Sequence, residues 1–288
     1  MGEQPHQDAC GDEVLECIAQ PPESRFLLTD ILQQSGKTVL VSLVGAGGKT
    51  STLYWLAKAL SQQKLRVLVT TTTAMSCTMP DWLQTRVQYA HSVEVFMAGQ
   101  GQKLQASDAP GLLALFSGVD QAVNKVKGYS PAEIDRLKAL NVFDVILVEA
   151  DGARGLQIKA AEAHEPQLPL SSDYVIGLTG FSVFADVIHP EQVHRWPLFC
   201  ERFGVAAGQR LDDAFFSRYL TDPFGLFKAA PAQAQKHWVL NACPQADKQT
   251  LARVKSLAMT HPWLKGVWLT QMQEADPFLY AWLRSSHH

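Results

Sequence analysis

At 288 residues, 47% hydrophobic and 18% charged, the chain has the length and apolar content for a substantial core, which excludes disordered and fibrous classes. A formal net charge of −3, with no block of Lys or Arg, gives no ground for binding nucleic acid or an anionic membrane surface. No apolar run reaches the roughly 18 residues needed to span a bilayer.

The opening stretch, MGEQPHQDACGDEVLE, is acidic and polar, so residues 1–24 read as a loose leader rather than a secretory signal. Residues 25–288 then form a single α/β domain, since no linker or repeat divides them. Five cysteines, at positions 10, 17, 77, 200 and 243, are odd in number and contain no C-x-x-C pair. That pattern predicts free thiols in a reducing cytoplasm, and it lacks the spacing of a zinc site.

The first strand is expected over TVLVSLV (38–44), followed by a glycine turn and a helix over about 49–63. A second strand, RVLVTTT (66–72), runs into four threonines, Thr70 to Thr73. The stretch at 98–111 is irregular and holds a small hairpin or an excursion from the sheet. A helix over 131–140 is announced by Ser130, Pro131 and Glu133, a capping serine, a first-turn proline and a reciprocal glutamate. Strands follow at FDVILVEA (143–150) and DYVIGLTG (173–180), then a helix over 211–221. The strand HWVLNA (237–242), a helix over 247–259 and the strand GVWLT (266–270) complete the pattern. Apolar strands alternating with helices predict a doubly wound, mostly parallel sheet of P-loop NTPase type with helices on both faces. Ligands in such a sheet sit at the carboxyl ends of the strands.

One of those ends carries Gly45-Ala46-Gly47-Gly48-Lys49-Thr50-Ser51, a G-x-x-G-K-T pattern shorter than the usual phosphate loop. Glycines let successive N–H groups curl round an anion, and the helix that starts there adds its N-terminal dipole. Lys49 reaches terminal phosphates, and the Thr50 hydroxyl suits Mg²⁺. The loop therefore predicts a site for ATP or GTP with Mg²⁺. A second strand end carries Glu149 and Asp151. Alternation along a continued strand puts both on the loop side, where an acid holds the magnesium through water or orients an attacking water. Thr50, Glu149 and Asp151 are thus the metal candidates, and Glu149-x-x-Gly152 has the spacing of the acid-x-x-glycine switch of GTPases. Lys49, Asp151 and Arg154 are the catalytic candidates. The threonine run has two readings, a good strand former or a row of hydroxyls lining phosphate or magnesium. The charged segment from Arg154 to Pro166 is a solvated loop or the carrier of a second anion site.

The segments LVGAGGKTSTLYWLA, VLVTTTTAM, KGYSPAEID, ILVEADGARGLQIKAAEAHEP and VIGLTGFSVFADVIHPEQVHR together resemble the selenium-dependent hydroxylase accessory proteins of the YqeC type, from about residue 25 to about 260. The resemblance implies a P-loop fold and a cytoplasmic role in maturing molybdenum hydroxylases that carry labile selenium. Its implied partner is an apo molybdenum hydroxylase or a cofactor-handling protein. It also maps Lys159, His164, His194 and Arg195 to further motifs, a possible second anion or acceptor site. The short loop is similar, too, to the ATP loop of the Mur peptide ligases. Two functions are therefore carried forward: a slow Mg-dependent nucleoside-triphosphatase acting as an accessory protein, and a kinase or Mur-like ligase acting on a cofactor precursor. The family tends to end a late strand in Asn-Lys-x-Asp. Here Asn241 is kept as a nucleotide-binding candidate, but Ala242 and Pro244 stand in place of the lysine and the aspartate. Without that carboxylate, the group that would pair with the N1–H and 2-amino group of guanine, a weak base preference or a lean to adenine is expected, unless another acid such as Asp247 takes over.

Overall fold

The structure is a computed structural model that describes residues 15–21, 31, 36–101 and 110–284. Its frame is a ten-stranded sheet. In chain order the strands are β1 (Leu15–Ala19), β2 (Val39–Gly45), β3 (Arg66–Thr71), β4 (Val87–Tyr89) and β5 (Gly111–Phe116). They continue with β6 (Val145–Glu149), β7 (Tyr174–Gly180), β8 (Gln235–Asn241), β9 (Leu264–Thr270) and β10 (Phe278–Arg284). Across the sheet the order is β1-β10-β9-β8-β7-β2-β6-β3-β5-β4. All neighbours from β9 to β4 are parallel, whereas β10 and β1 add on antiparallel.

Continuous apolar runs make the central strands, because a parallel strand covered on both faces has no polar side to show. All seven residues of β2 and of β7 are buried. Alternation then sorts them by face. Val39, Val41 and Leu43 pack with Leu53, Leu56 and Leu60 of α1 (Lys49–Gln62). Leu40, Ile146 and Val148 instead meet Ile134 and Leu137 of α2 (Pro131–Ala139). An aromatic cluster on that second face joins Trp238 of β8 to α3 (Trp196–Phe203) and α4 (Asp213–Thr221), with Val254 and Leu257 of α5 (Lys248–Thr260) beside it. Helices thus cover both faces of the sheet, as expected from the alternation of elements.

The capping signals are met in detail. Glu133 N–H donates to Ser130 Oγ at 3.3 Å, and Ser130 N–H donates back to Glu133 at 2.9 Å. Asp212 and Asp247, expected inside their helices, stand one residue before them as caps, accepting from Phe215 and Thr250 N–H. Part of the expected leader is paired: Leu15–Ala19 is a strand on β10. Residues 1–14 and 22–24 lie outside the described residues, as do 102–109 of the irregular stretch. Ala74–Ser76, Gly118–Asp120 and Lys125–Lys127 form a small antiparallel sheet of their own. No helix among the described residues is long and apolar enough to cross a membrane.

Candidate functional site

The chain leaves β2 toward β3 on one side, while β7, its other neighbour, leads away toward β8. This reversal opens a crevice at the carboxyl ends of β2 and β7, the place where open α/β sheets hold ligands. The glycine loop fills that position. Gly45, Gly47 and Gly48 have φ of 91°, 78° and 122°. At Gly47 the backbone also passes so close to β7 that an added Cβ would lie 2.2 Å from the Gly180 nitrogen. Ala46 N–H donates to the Leu178 carbonyl at 3.0 Å, and Gly47 N–H to the Leu156 carbonyl at 2.8 Å. The loop is clamped from two sides.

Among the described residues, helix α1 begins at Lys49 with no side-chain cap, and its first turn holds no acid. Its leading N–H groups lack intrahelical acceptors, and the positive end of the helix dipole adds to them. Beside them lies a cavity of about 400 Å³. Its walls are Gly47 to Ser51, Glu149, Ala153 to Gln157, Asn241 with Ala242, and Gln271 to Glu274.

Two carboxylates hold the loop from below. Glu149 ends β6 opposite Leu43 of β2, and it accepts the Thr50 hydroxyl at 2.7 Å. Burial pushes its carboxyl above the ordinary range, against the opposing pull of Lys49 and the Thr50 hydrogen bond. Asp151 accepts Gly45 N–H at 3.0 Å and pairs with Lys49 and Lys159, each at 3.1 Å. Lys49 is itself buried, its Nζ donating to the Gly45 carbonyl at 2.6 Å.

The position of Asp151 corrects an expectation. Strand alternation puts it near a terminal phosphate or an attacking water, as a metal and catalytic candidate. The strand ends at Glu149, and the chain then turns beneath the loop, so Asp151 is 2% exposed and is not on the cavity wall. Its neighbours make it a holder of Lys49. The threonine run is likewise taken up by the frame: Thr70, Thr71 and Thr72 hydroxyls donate to the carbonyls of Leu115, Glu149 and Gln167.

Of the other candidates, Ser51, Arg154 and Asn241 reach the cavity wall. Asn241 donates to the Gly47 carbonyl at 2.8 Å and accepts from the Thr270 hydroxyl and Met272 N–H, both at 3.0 Å. Gly152 takes part through its carbonyl, which accepts from Lys159 at 2.7 Å. Lys159, His194 and Arg195 form a cluster behind the loop, joined to it through the Lys159–Asp151 pair. Ile158–Lys159 pairs with Val193–His194, which brings these residues side by side. Glu165 is its centre, accepting from Lys159 at 2.8 Å and from both ends of the Arg195 guanidinium at 2.7 and 3.0 Å. Desolvation would raise the Glu165 carboxyl, but the Arg195 and Lys159 contacts outweigh it and bring its pKa to about 2. Both cations are therefore engaged within the chain's own ion network. His164 stays exposed, 3.5 Å from Glu162.

His194 is the pH-sensitive member of this cluster. Burial, then the nearby Arg195 and Lys159 charges, lower its pKa from 6.5 to about 4. The unfolded chain thus takes up the proton first. Stability from this group is complete above about pH 6.5 and is lost as pH falls toward 4. Denaturant titrations across that window should show declining stability, with a shallower decline in His194→Gln. His237 and His261 are lowered in the same sense, so part of the slope should persist. An unchanged slope in the variant would mean that His194 contributes nothing to the pH dependence.

The sequence signs missed Gln157, Ala242 and the whole Gln271–Glu274 wall. A polar run directly after an apolar strand is the available cue, since the ends of β8 and β9 border the crevice together with those of β2 and β6. Fold and site together define an α/β protein with a glycine loop and two buried carboxylates at the carboxyl edge of a large, mostly parallel sheet. The sequence model of the family described as "YqeC protein" matches residues 41–197. The chain is also 34% identical over 248 residues to the Escherichia coli (strain K12) protein described as "Uncharacterized protein YqeC", covering 86% of this chain and 93% of that one. The chain belongs to the YqeC family.

Proposed function

We propose that this protein binds a magnesium nucleoside triphosphate at Gly45–Ser51, hydrolyses it slowly, and serves as a cytoplasmic accessory protein in the maturation of selenium-dependent molybdenum hydroxylases. The observation that carries the nucleotide reading is the uncapped start of α1 meeting the glycine loop, Lys49 and the cavity in one place. Bare helix N–H groups and a lysine together are complementary to a polyphosphate. Arg154 adds a second charge: it is exposed on the cavity wall and makes no hydrogen bond or ion pair among the described residues. The maturation role, with an apo hydroxylase or a cofactor-handling protein as partner, rests on the likeness of the YqeC-type motifs.

Mg²⁺ fits the donors present. Thr50 and Glu149 offer only oxygen, the ligand type this ion prefers, and a buried carboxylate whose charge is disfavoured gains from a cation beside it. No group of three or more His, Cys, Asp or Glu among the described residues could hold a metal alone. The remaining ligands are then phosphate and water, as is usual for Mg²⁺. When bound, the ion neutralises charge on the triphosphate. Lys49 and the α1 N–H groups orient the phosphates, and Asp151 keeps Lys49 in place.

The test is nucleotide affinity and phosphate release as functions of Mg²⁺ concentration. Glu149→Gln should lower Mg-dependent affinity by about tenfold, equivalent to ~1.4 kcal/mol. Slow release of phosphate by the parent protein, quickened by an apo hydroxylase, would support the accessory role. A variant with the parent's Mg²⁺ dependence would take Glu149 out of the metal site, and no turnover under any condition would leave a binding protein without hydrolysis.

A further inference from the structure

The cavity has two kinds of wall. One is the phosphate-facing loop, and the other is Gln271–Glu274, which follows β9. Two strands, β7 and β8, lie between β2 and β9. With strands spaced by about 4.8 Å, the two walls rise about 14 Å apart along the sheet edge. A nucleoside triphosphate lying across the strand ends, phosphates on α1, would bring its base to the second wall.

The candidates for reading that base reduce quickly. Asn241 spends its oxygen on the Thr270 hydroxyl and Met272 N–H, so it ties the phosphate loop to the second wall. Ala242 has no polar side-chain atom. Asp247 caps α5 and opens on a different cavity, with Arg210 and Arg253. Glu274 remains. Its N–H donates to the Gln271 carbonyl at 2.9 Å, and Gln271 N–H is anchored on the Pro277 carbonyl at 2.8 Å. The Gln271 amide, 3.4 Å from Glu274 Oε1, steadies the carboxylate at the wall. An ionised carboxylate only accepts, through two oxygens. That matches two adjacent N–H donors, the N1–H and 2-amino group of guanine, whereas adenine places an acceptor at N1.

We infer that Glu274 is the base-reading residue and that the site selects guanine nucleotides. The inference rests on the nucleotide site proposed above. The lean to adenine expected from Pro244 considered only the strand that precedes it, and the carboxylate comes instead from the next strand end.

The experiment titrates the full chain with the magnesium complexes of GTP, ATP and xanthosine triphosphate, using the parent and Glu274→Gln. A carboxamide presents one acceptor and one donor group, the complement of xanthine's N1–H and 2-oxo group. The parent should bind GTP about tenfold or more tighter than ATP, the scale of a charge-assisted hydrogen bond. Glu274→Gln should abolish that preference and bind xanthosine triphosphate more tightly than the parent does. The substitution lies on an exposed turn, and circular dichroism of the variant is the control for folding. Equal binding of GTP and ATP by the parent, or an unchanged ranking in the variant, would overturn the inference while leaving the nucleotide site intact. Failure of the parent to bind any of the three would overturn both.

Discussion

Asp151→Ala should destabilise the protein by about 3–5 kcal/mol, the usual result of removing one partner from a buried ion pair. Lys49 and Lys159 are both almost fully enclosed, and each pairs with this carboxylate at 3.1 Å. The substitution also leaves Gly45 N–H without its acceptor. Among the described residues, Lys159 retains Glu165 and the Gly152 carbonyl, whereas Lys49 retains the Gly45 carbonyl alone, so most of the damage falls on the glycine loop. A stability of 5–15 kcal/mol is typical of folded domains, so a loss near 4 would be plain in a denaturant titration at about pH 7. Asp151→Asn should lose less, because its amide oxygen still accepts from Gly45. If Asp151→Ala stays within about 1 kcal/mol of the parent, the carboxylate does not hold the loop together.

Lys49→Ala should lower the affinity for a magnesium nucleoside triphosphate by on the order of a hundredfold or more. One charge-assisted hydrogen bond contributes about 1.5–3 kcal/mol, and a lysine bridging two phosphates makes two of them. The expected fold is retained, since Asp151 keeps Lys159 and Gly45 N–H as partners and alanine is the best helix former at that position. Calorimetric titration of parent and variant, with circular dichroism to check folding, measures this. Equal affinities would mean that Lys49 only neutralises Asp151.

The two substitutions separate what was legible in the chain from what was not. The loop, Lys49, Thr50 and Glu149 could be read because their relations are local or follow from two adjacent apolar strands. The strand expected over 38–44 appears as Val39–Gly45, and that over 266–270 as Leu264–Thr270. The ion network from Lys49 through Asp151, Lys159 and Glu165 to Arg195 could not be read. It depends on how residues 150–166 fold back beneath the loop, and no periodicity describes that path. Edge strands were also hidden. The run Leu15–Ala19 is largely exposed and is held by backbone pairing with β10, so no buried stripe marks it. Helix α3 had its stop signal, Gly204 with φ of 65°, but Arg195 at its start is left-handed rather than a capping residue.

In the proposed site, phosphate sits on the first N–H groups of α1. Hydrogen exchange of the full chain, with and without a saturating magnesium nucleoside triphosphate, tests it at those groups. Slowed exchange over Gly47–Ser51 and over the Glu149–Gln157 segment, lost in Lys49→Ala, is the predicted result. Nucleotide binding that leaves exchange over Gly47–Ser51 unchanged would contradict it.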